Sequence, residues 1–255
     1  MSKSRSERLL DWLAPLALLA ALVGAWEALA RAGAFEDYLL PAPSEVVRAL
    51  HDDRSLLASD AWVTAQEVLL GFALALALGV AVAVVLHLSR ALRRAFYPLV
   101  VASQAVPVVV IAPILVIWFG FGIGPKLVVI ALICFFPIAV NTLDGLRSVD
   151  PAQVKMLRTL DASRADVFRR LELPSALPYL FSGAKVAVAV AVIGAVFGEL
   201  VGADAGLGHA IQIGTAQLLT ARVFAAVLIL SLMAIALFAL VAALERLLVP
   251  WKGAK

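Results

Sequence analysis

Val63–Leu88 reads VTAQEVLLGFALALALGVAVAVVLHL, and beyond Glu67 it contains no Asp, Glu, Lys or Arg. A helix needs about 20 mostly apolar residues to cross the hydrocarbon of a bilayer, and this stretch exceeds that length. Small residues recur through Gly71–Gly79, where they let helices approach closely in a solvent that supplies no hydrophobic drive for packing. Five further segments read the same way: Trp12–Ala32, Pro98–Phe119, Lys126–Leu143, Phe181–Val201 and Val223–Val249. The expected fold is an all-α membrane protein of six transmembrane helices, a single domain over residues 1–255. Pro107, Pro113 and Pro137 fall within spans three and four, where each removes a backbone hydrogen bond and bends the helix.

Composition agrees. Apolar residues make up 63% of the 255 and charged residues 15%, with a mean hydropathy of +1.00. A soluble domain carries about 25% charged residues, so the missing charge places the apolar runs in lipid. The net charge is +3 and the basic residues are dispersed, with no basic stripe interleaved with aromatics, so nucleic acid is not an expected partner. The single Cys134 lies in an apolar run and excludes an internal disulfide framework or a multi-cysteine metal site. Lys3, Arg5 and Arg8 ahead of an apolar run ending Ala28-Leu29-Ala30 resemble a signal peptide, but Trp26 and Glu27 stand where small neutral residues belong. The run is expected to stay as the first span.

Lys and Arg distribute unevenly between alternate loops. With the N-terminus in the cytoplasm, inside segments hold fifteen and outside segments five, Lys185 falling just within span five. The positive-inside rule therefore places both termini in the cytoplasm. The outside then holds a loop at Gly33–Trp62, the tight turn Gly120–Pro125 and a short re-entrant stretch before span six.

The one large cytoplasmic loop runs approximately over residues 144–180. Asp150-Pro151 is a helix start, an acidic N-cap followed by proline at the first helical position, and the helix should run to about Leu160. Val154, Leu157 and Leu160 recur along it at spacing three. Ser163-Arg164-Ala165-Asp166 has capping-box form and starts a second short helix carrying Val167, Phe168 and Leu171 on one side, which Pro174 and Pro178 should end. Two short amphipathic helices on this face either lie on the membrane or cap the bundle, or they dock into another protein.

From Asp150-Pro151 to Leu173-Pro174-Ser175-Ala176-Leu177-Pro178 the loop resembles that of ATP-binding-cassette importer permeases. Their pattern is Glu-Ala-Ala, three residues, Gly, nine residues, Ile, one residue, Leu-Pro. Here the slots hold Lys155-Met156-Leu157, then Asp161, then Leu171-Glu172-Leu173-Pro174, so spacing is kept while the triplet and the glycine are replaced. Asp visits left-handed backbone more readily than most residues and can stand in for glycine at a helix–helix turn. Leu40-Pro41-Ala42-Pro43-Ser44, Ser103–Pro107, Trp118-Phe119-Gly120, Phe136-Pro137, Gly198–Ala203, Gly206-Leu207-Gly208 and Leu244–Trp251 are similar to the nitrate/sulfonate/taurine branch. Ala184–Pro250 is similar to permeases for thiamine pyrimidine precursors or riboflavin.

The resemblance implies a type I importer permease fold in the bacterial inner membrane, with Val154, Lys155, Met156, Leu157, Leu160, Asp161, Ser163, Arg164, Phe168, Leu171 and Pro174 as the ATPase-coupling loop. It implies two copies of a cytoplasmic ATPase, a second permease subunit expected to be identical, a periplasmic or lipid-anchored substrate-binding protein, and membrane lipid around the spans. The solute would be small and polar or anionic. No Gly-x-x-x-x-Gly-Lys-Ser/Thr phosphate loop occurs in the chain, so ATP hydrolysis is expected in the separate subunit, and no cofactor, catalytic residue or metal site is expected here.

Polar residues at membrane depth are costly and are functional candidates by default. Ser103, Gln104, Asn141 and Glu199 are the candidates for the translocation path. Gln66 and Glu67 read as interfacial or interhelical, and Lys185 as a snorkelling end residue. Two other functions compete: a stand-alone secondary transporter or channel, which needs midplane ionisable residues that are scarce here, and a membrane anchor for a soluble complex.

Overall fold

The computed structural model describes residues 5–33, 36 and 39–253; Lys3 and Lys255, which entered the charge count, lie outside them. Among the described residues every regular element is helical. Among these residues four helices are long and apolar enough to cross a membrane: α3 (Arg54–Leu88), α6 (Ile123–Arg147), α11 (Thr220–Leu248), and the run Arg164–Leu200 formed by α8 (Arg164–Val167), a π turn at Phe168–Glu172 and α9 (Leu173–Leu200). A fifth candidate is the pair α4 (Arg90–Ala102) and α5 (Val108–Phe119). The first expected span falls in α1 (Arg5–Arg31).

The third expected span is not one bent helix. α4 and α5 meet at 98° across a 3₁₀ turn, Ser103–Ala105. Pro107 has no N–H and forces the preceding residue out of the α region, and Val106 accordingly sits at φ −87°, ψ 118°. Pro113 and Pro137, by contrast, lie inside α5 and α6. The second loop helix also departs from expectation, because Pro174 and Pro178 do not end it. The π turn shifts the ladder by one residue just before Pro174, with the Leu173 N–H donating to the Phe168 carbonyl, and the helix continues into α9. The outer loop expected at Gly33–Trp62 contains α2 (Pro43–Asp52) and the start of α3, and the re-entrant stretch before span six contains α10 (Leu207–Ala216).

The chain divides into two compact units. One comprises the residues up to Ser59 together with Ala210–Leu228. In it Glu27, within the first apolar run, accepts hydrogen bonds from the Ser44 N–H (3.0 Å) and hydroxyl (2.8 Å) at the start of α2. The Trp26 indole donates to the Pro41 carbonyl at 3.0 Å and its ring lies 5.8 Å from Phe224. Arg222 makes a two-pronged ion pair with Asp53, at 2.7 and 2.8 Å.

The other unit comprises Asp60–His209 and Ile229 onward. Its centre is the packing of α6 on α9. α3 packs against the same α6 through Gly71, where a Cβ would lie 2.6 Å from the Ile130 side chain. Ala184 and Val188 of α9 are buried against Val241 of α11, with Phe72, Phe181 and Leu237 around them. Only 11% of the apolar window of α11 is buried, so most of that helix turns apolar surface outward.

Candidate functional site

The loop expected to meet the ATPase is built by local chemistry. The Asp150 carboxylate accepts from the Ala152 N–H at 2.8 Å and starts α7 (Pro151–Thr159). At the other end of α7 the Ala162 N–H returns to the Leu157 carbonyl and the Asp161 N–H to the Arg158 carbonyl, both at 3.1 Å. This is a Schellman end, and it requires a left-handed residue at the position of Asp161, whose φ is +57°. The family glycine slot is thus a left-handed slot, and Asp fills it. Ser163 and Asp166 then cap α8 reciprocally, backbone to side chain, at 3.1 and 3.2 Å.

Tertiary contacts hold this loop against the ends of the spans. Val167 is buried, and Phe168, Leu171 and Pro174 are half-buried. The Arg164 guanidinium donates to the Leu88 carbonyl at 2.9 Å, closing the exposed end of α3. His87 lies 2.8 Å from the Glu172 carboxylate and stacks obliquely near Phe168, with ring centres 6.3 Å apart. Behind the loop, a Cβ at Gly145 would come within 2.7 Å of the Tyr179 Cβ and 2.9 Å of the Ala176 backbone, so α6 and α9 meet nearly in van der Waals contact.

Among the charged and polar side chains that the loop exposes stand two large apolar ones. Met156 is 66% and Leu160 69% exposed, four residues apart on one face of α7, whereas Val154 and Leu157 are half-buried. Lys155 and Ser163 are exposed. Two large apolar side chains projecting from a pinned helix make a surface suited to a groove in another protein.

The path candidates do not come together. Ser103 and Gln104 are both exposed in the 3₁₀ turn between α4 and α5, at a break rather than within one continuous span. Asn141 is half-buried and its amide donates to the Pro137 carbonyl at 2.7 Å. Glu199 is wholly buried: it accepts from the Thr64 hydroxyl at 2.7 Å and from the Gly208 N–H.

Around Glu199 lies a polar network that the sequence reading did not assemble. The Leu207 N–H donates to Thr64 Oγ1 at 2.9 Å and the Gly206 N–H to Asp60 at 3.0 Å, so the first turn of α10 hangs its free N–H groups on buried acceptors. Gly206 has φ +115°, and Glu199 occupies the space that a side chain there would take. Lys126 and Glu67 form a buried ion pair at 2.6 Å. Lys185 is not a snorkelling end residue, since it pairs with Glu245 at 2.7 Å. One signal was available: Asp60, Thr64 and Glu67 recur at spacings of four and three, a polar stripe on one face of an otherwise apolar helix.

Residues 75–251 match the family of binding-protein-dependent transport system inner membrane components. The chain belongs to that family. It is 39% identical, over 94% of its own length and 96% of the relative's, to the formylaminopyrimidine transport permease ThiX of Halalkalibacterium halodurans. It is 30% identical to the taurine transport permease TauC of Escherichia coli, over 96% and 95% of the two chains. The fold matches the MetNI methionine ABC transporter at a TM-score of 0.67 and 19% identity, over 77% of this chain and 98% of that one. The permease is therefore a membrane-embedded subunit of an ABC importer with a type I fold, as the resemblance implied.

Proposed function

We propose that this permease carries a small polar heterocycle of the formylaminopyrimidine class inward across the bacterial inner membrane, with both termini in the cytoplasm. The observation that carries the substrate class is the 39% identity to a formylaminopyrimidine permease along nearly the full length of both chains. Two identical permease subunits form the pathway, and an external binding protein, periplasmic or lipid-anchored, delivers the solute. Two copies of a separate cytoplasmic ATPase hydrolyse ATP and take the coupling loop, the exposed pair Met156 and Leu160 entering a groove on each. Closure of the ATPases moves the loop, and through Arg164 and Glu172 it pulls on the end of α3. Ser103, Gln104 and Asn141 line the path, and Glu199 holds the outer helix α10 beside it.

The test is competitive uptake. Cells expressing the complete transporter should take up labelled formylaminopyrimidine, with excess unlabelled compound suppressing uptake and excess taurine leaving it unchanged. Suppression by taurine alone would move the substrate to the sulfonate class.

A further inference from the structure

Behind α7, on the side away from Met156 and Leu160, lies a groove of about 1150 Å³ between the start of α4, the end of α6 and α7 itself. Arg90, Arg93, Arg147, Lys155, Arg158 and Arg164 line it, against only Asp161 and Glu172, and Glu172 is already engaged with His87. Among the described residues none of the first five forms an ion pair. The Arg93 guanidinium instead feels the like charges of Arg147, Arg90 and Arg94.

A positive-inside bias scatters cations along loops; here four separate elements bring theirs to one concavity, which raises the local potential for an anion. Arginine's planar fork matches two oxygens of a phosphate. α4 adds a second feature: about a third of a turn around the helix from Arg90 and Arg93 it exposes Leu92, Phe96 and Leu99, an apolar strip that acyl chains can reach from the groove's edge. We propose that this groove binds the phosphate headgroup of an anionic phospholipid, with the acyl chains lying along α4. Lipid thereby sits directly behind the coupling helix, in a place to bias its position.

The test is titration of the purified full-length permease, in a neutral detergent, with phosphatidylglycerol or phosphatidylcholine, bound lipids being counted by native mass spectrometry. Each basic side chain near an anionic headgroup contributes a factor of about five in affinity, so Arg93→Gln/Arg147→Gln should bind phosphatidylglycerol about 25-fold more weakly. Phosphatidylcholine binding should not change. Arg246→Gln, an exposed cation at the end of α11 outside the groove, should bind phosphatidylglycerol as the parent does. If the double variant does not fold, Arg90→Gln/Arg93→Gln gives the same comparison on exposed and half-exposed positions. Displacement of the lipid by millimolar inorganic phosphate identifies the phosphate as the recognised group, and resistance to displacement assigns the acyl strip a share. Equal phosphatidylglycerol affinity of parent and double variant overturns the proposal. So does a double variant that keeps its lipid but loses a co-purifying ATPase, which would make the groove a protein contact.

Discussion

Lys126→Met should be among the most damaging single changes in the permease, although sequence alone places Lys126 at the start of a span near an outer turn. Lys126 and Glu67 are 2.6 Å apart, with side chains 10% and 3% exposed. Removing one partner of a buried ion pair leaves the other charged without compensation and costs about 3–5 kcal/mol. Methionine keeps the aliphatic stem, which packs against Gly198, so the loss is of charge rather than of volume. For a chain of this size about 1 kcal/mol moves the melting temperature by roughly 2–4 °C, giving a fall on the order of 6–20 °C for the detergent-solubilised protein. Lys126→Met/Glu67→Gln removes the stranded carboxylate and should recover more than half of that fall, a coupling that a double-mutant cycle reads directly. A Lys126→Met protein that melts with the parent, or a double variant no better than the single one, would show that the buried pair contributes nothing to stability.

Leu160→Glu puts a charge on the exposed apolar face of α7 and should abolish ATPase association and transport, with the protein inserted at parental levels; pull-down of the ATPase measures it. Asp161→Gly relaxes a left-handed position and should slow hydrogen exchange of the Ala162 N–H while transport continues, as hydrogen-exchange mass spectrometry of the loop would report. A Gly208→Ala side chain would collide with the Glu199 carboxylate and the Val196 carbonyl, so α10 should lose protection in the same experiment before the rest of the bundle. A cysteine at Ser55 should react with a membrane-impermeant thiol reagent in intact cells and one at Ser163 should not; the reverse pattern would invert the topology.

The sequence revealed the spans in α3, α6, α9 and α11 because an apolar run of bilayer length has few alternatives, and it revealed the loop caps because Asp150, Ser163 and Asp166 act on neighbours within three residues. Asp161 was legible only through the resemblance, whose glycine position it occupies, and its φ of +57° is a conformation that glycine also reaches. Pro107 was visible but its consequence was not. Proline removes a hydrogen bond wherever it falls, and whether the helix runs on, as at Pro137, or breaks at 98°, as before α5, depends on what the neighbouring helices satisfy. Nothing local pairs His87 with Glu172, 85 residues away, or Lys126 with Glu67, 59 residues away. The carboxylate at Glu199 looked like a path residue because charge at membrane depth signals function. Its hydrogen bonds to Thr64 and Gly208 give it a second occupation, anchoring α10, that only the packed bundle discloses.

Energy coupling is the centre of the account, and reconstitution tests it most directly. Proteoliposomes carrying the permease with its co-purified ATPase, and the binding protein loaded with labelled formylaminopyrimidine outside, should accumulate label only when ATP is enclosed. Vesicles with the permease alone should accumulate none under any ion gradient. Gradient-driven accumulation by the permease alone would contradict the account and make the chain a secondary transporter.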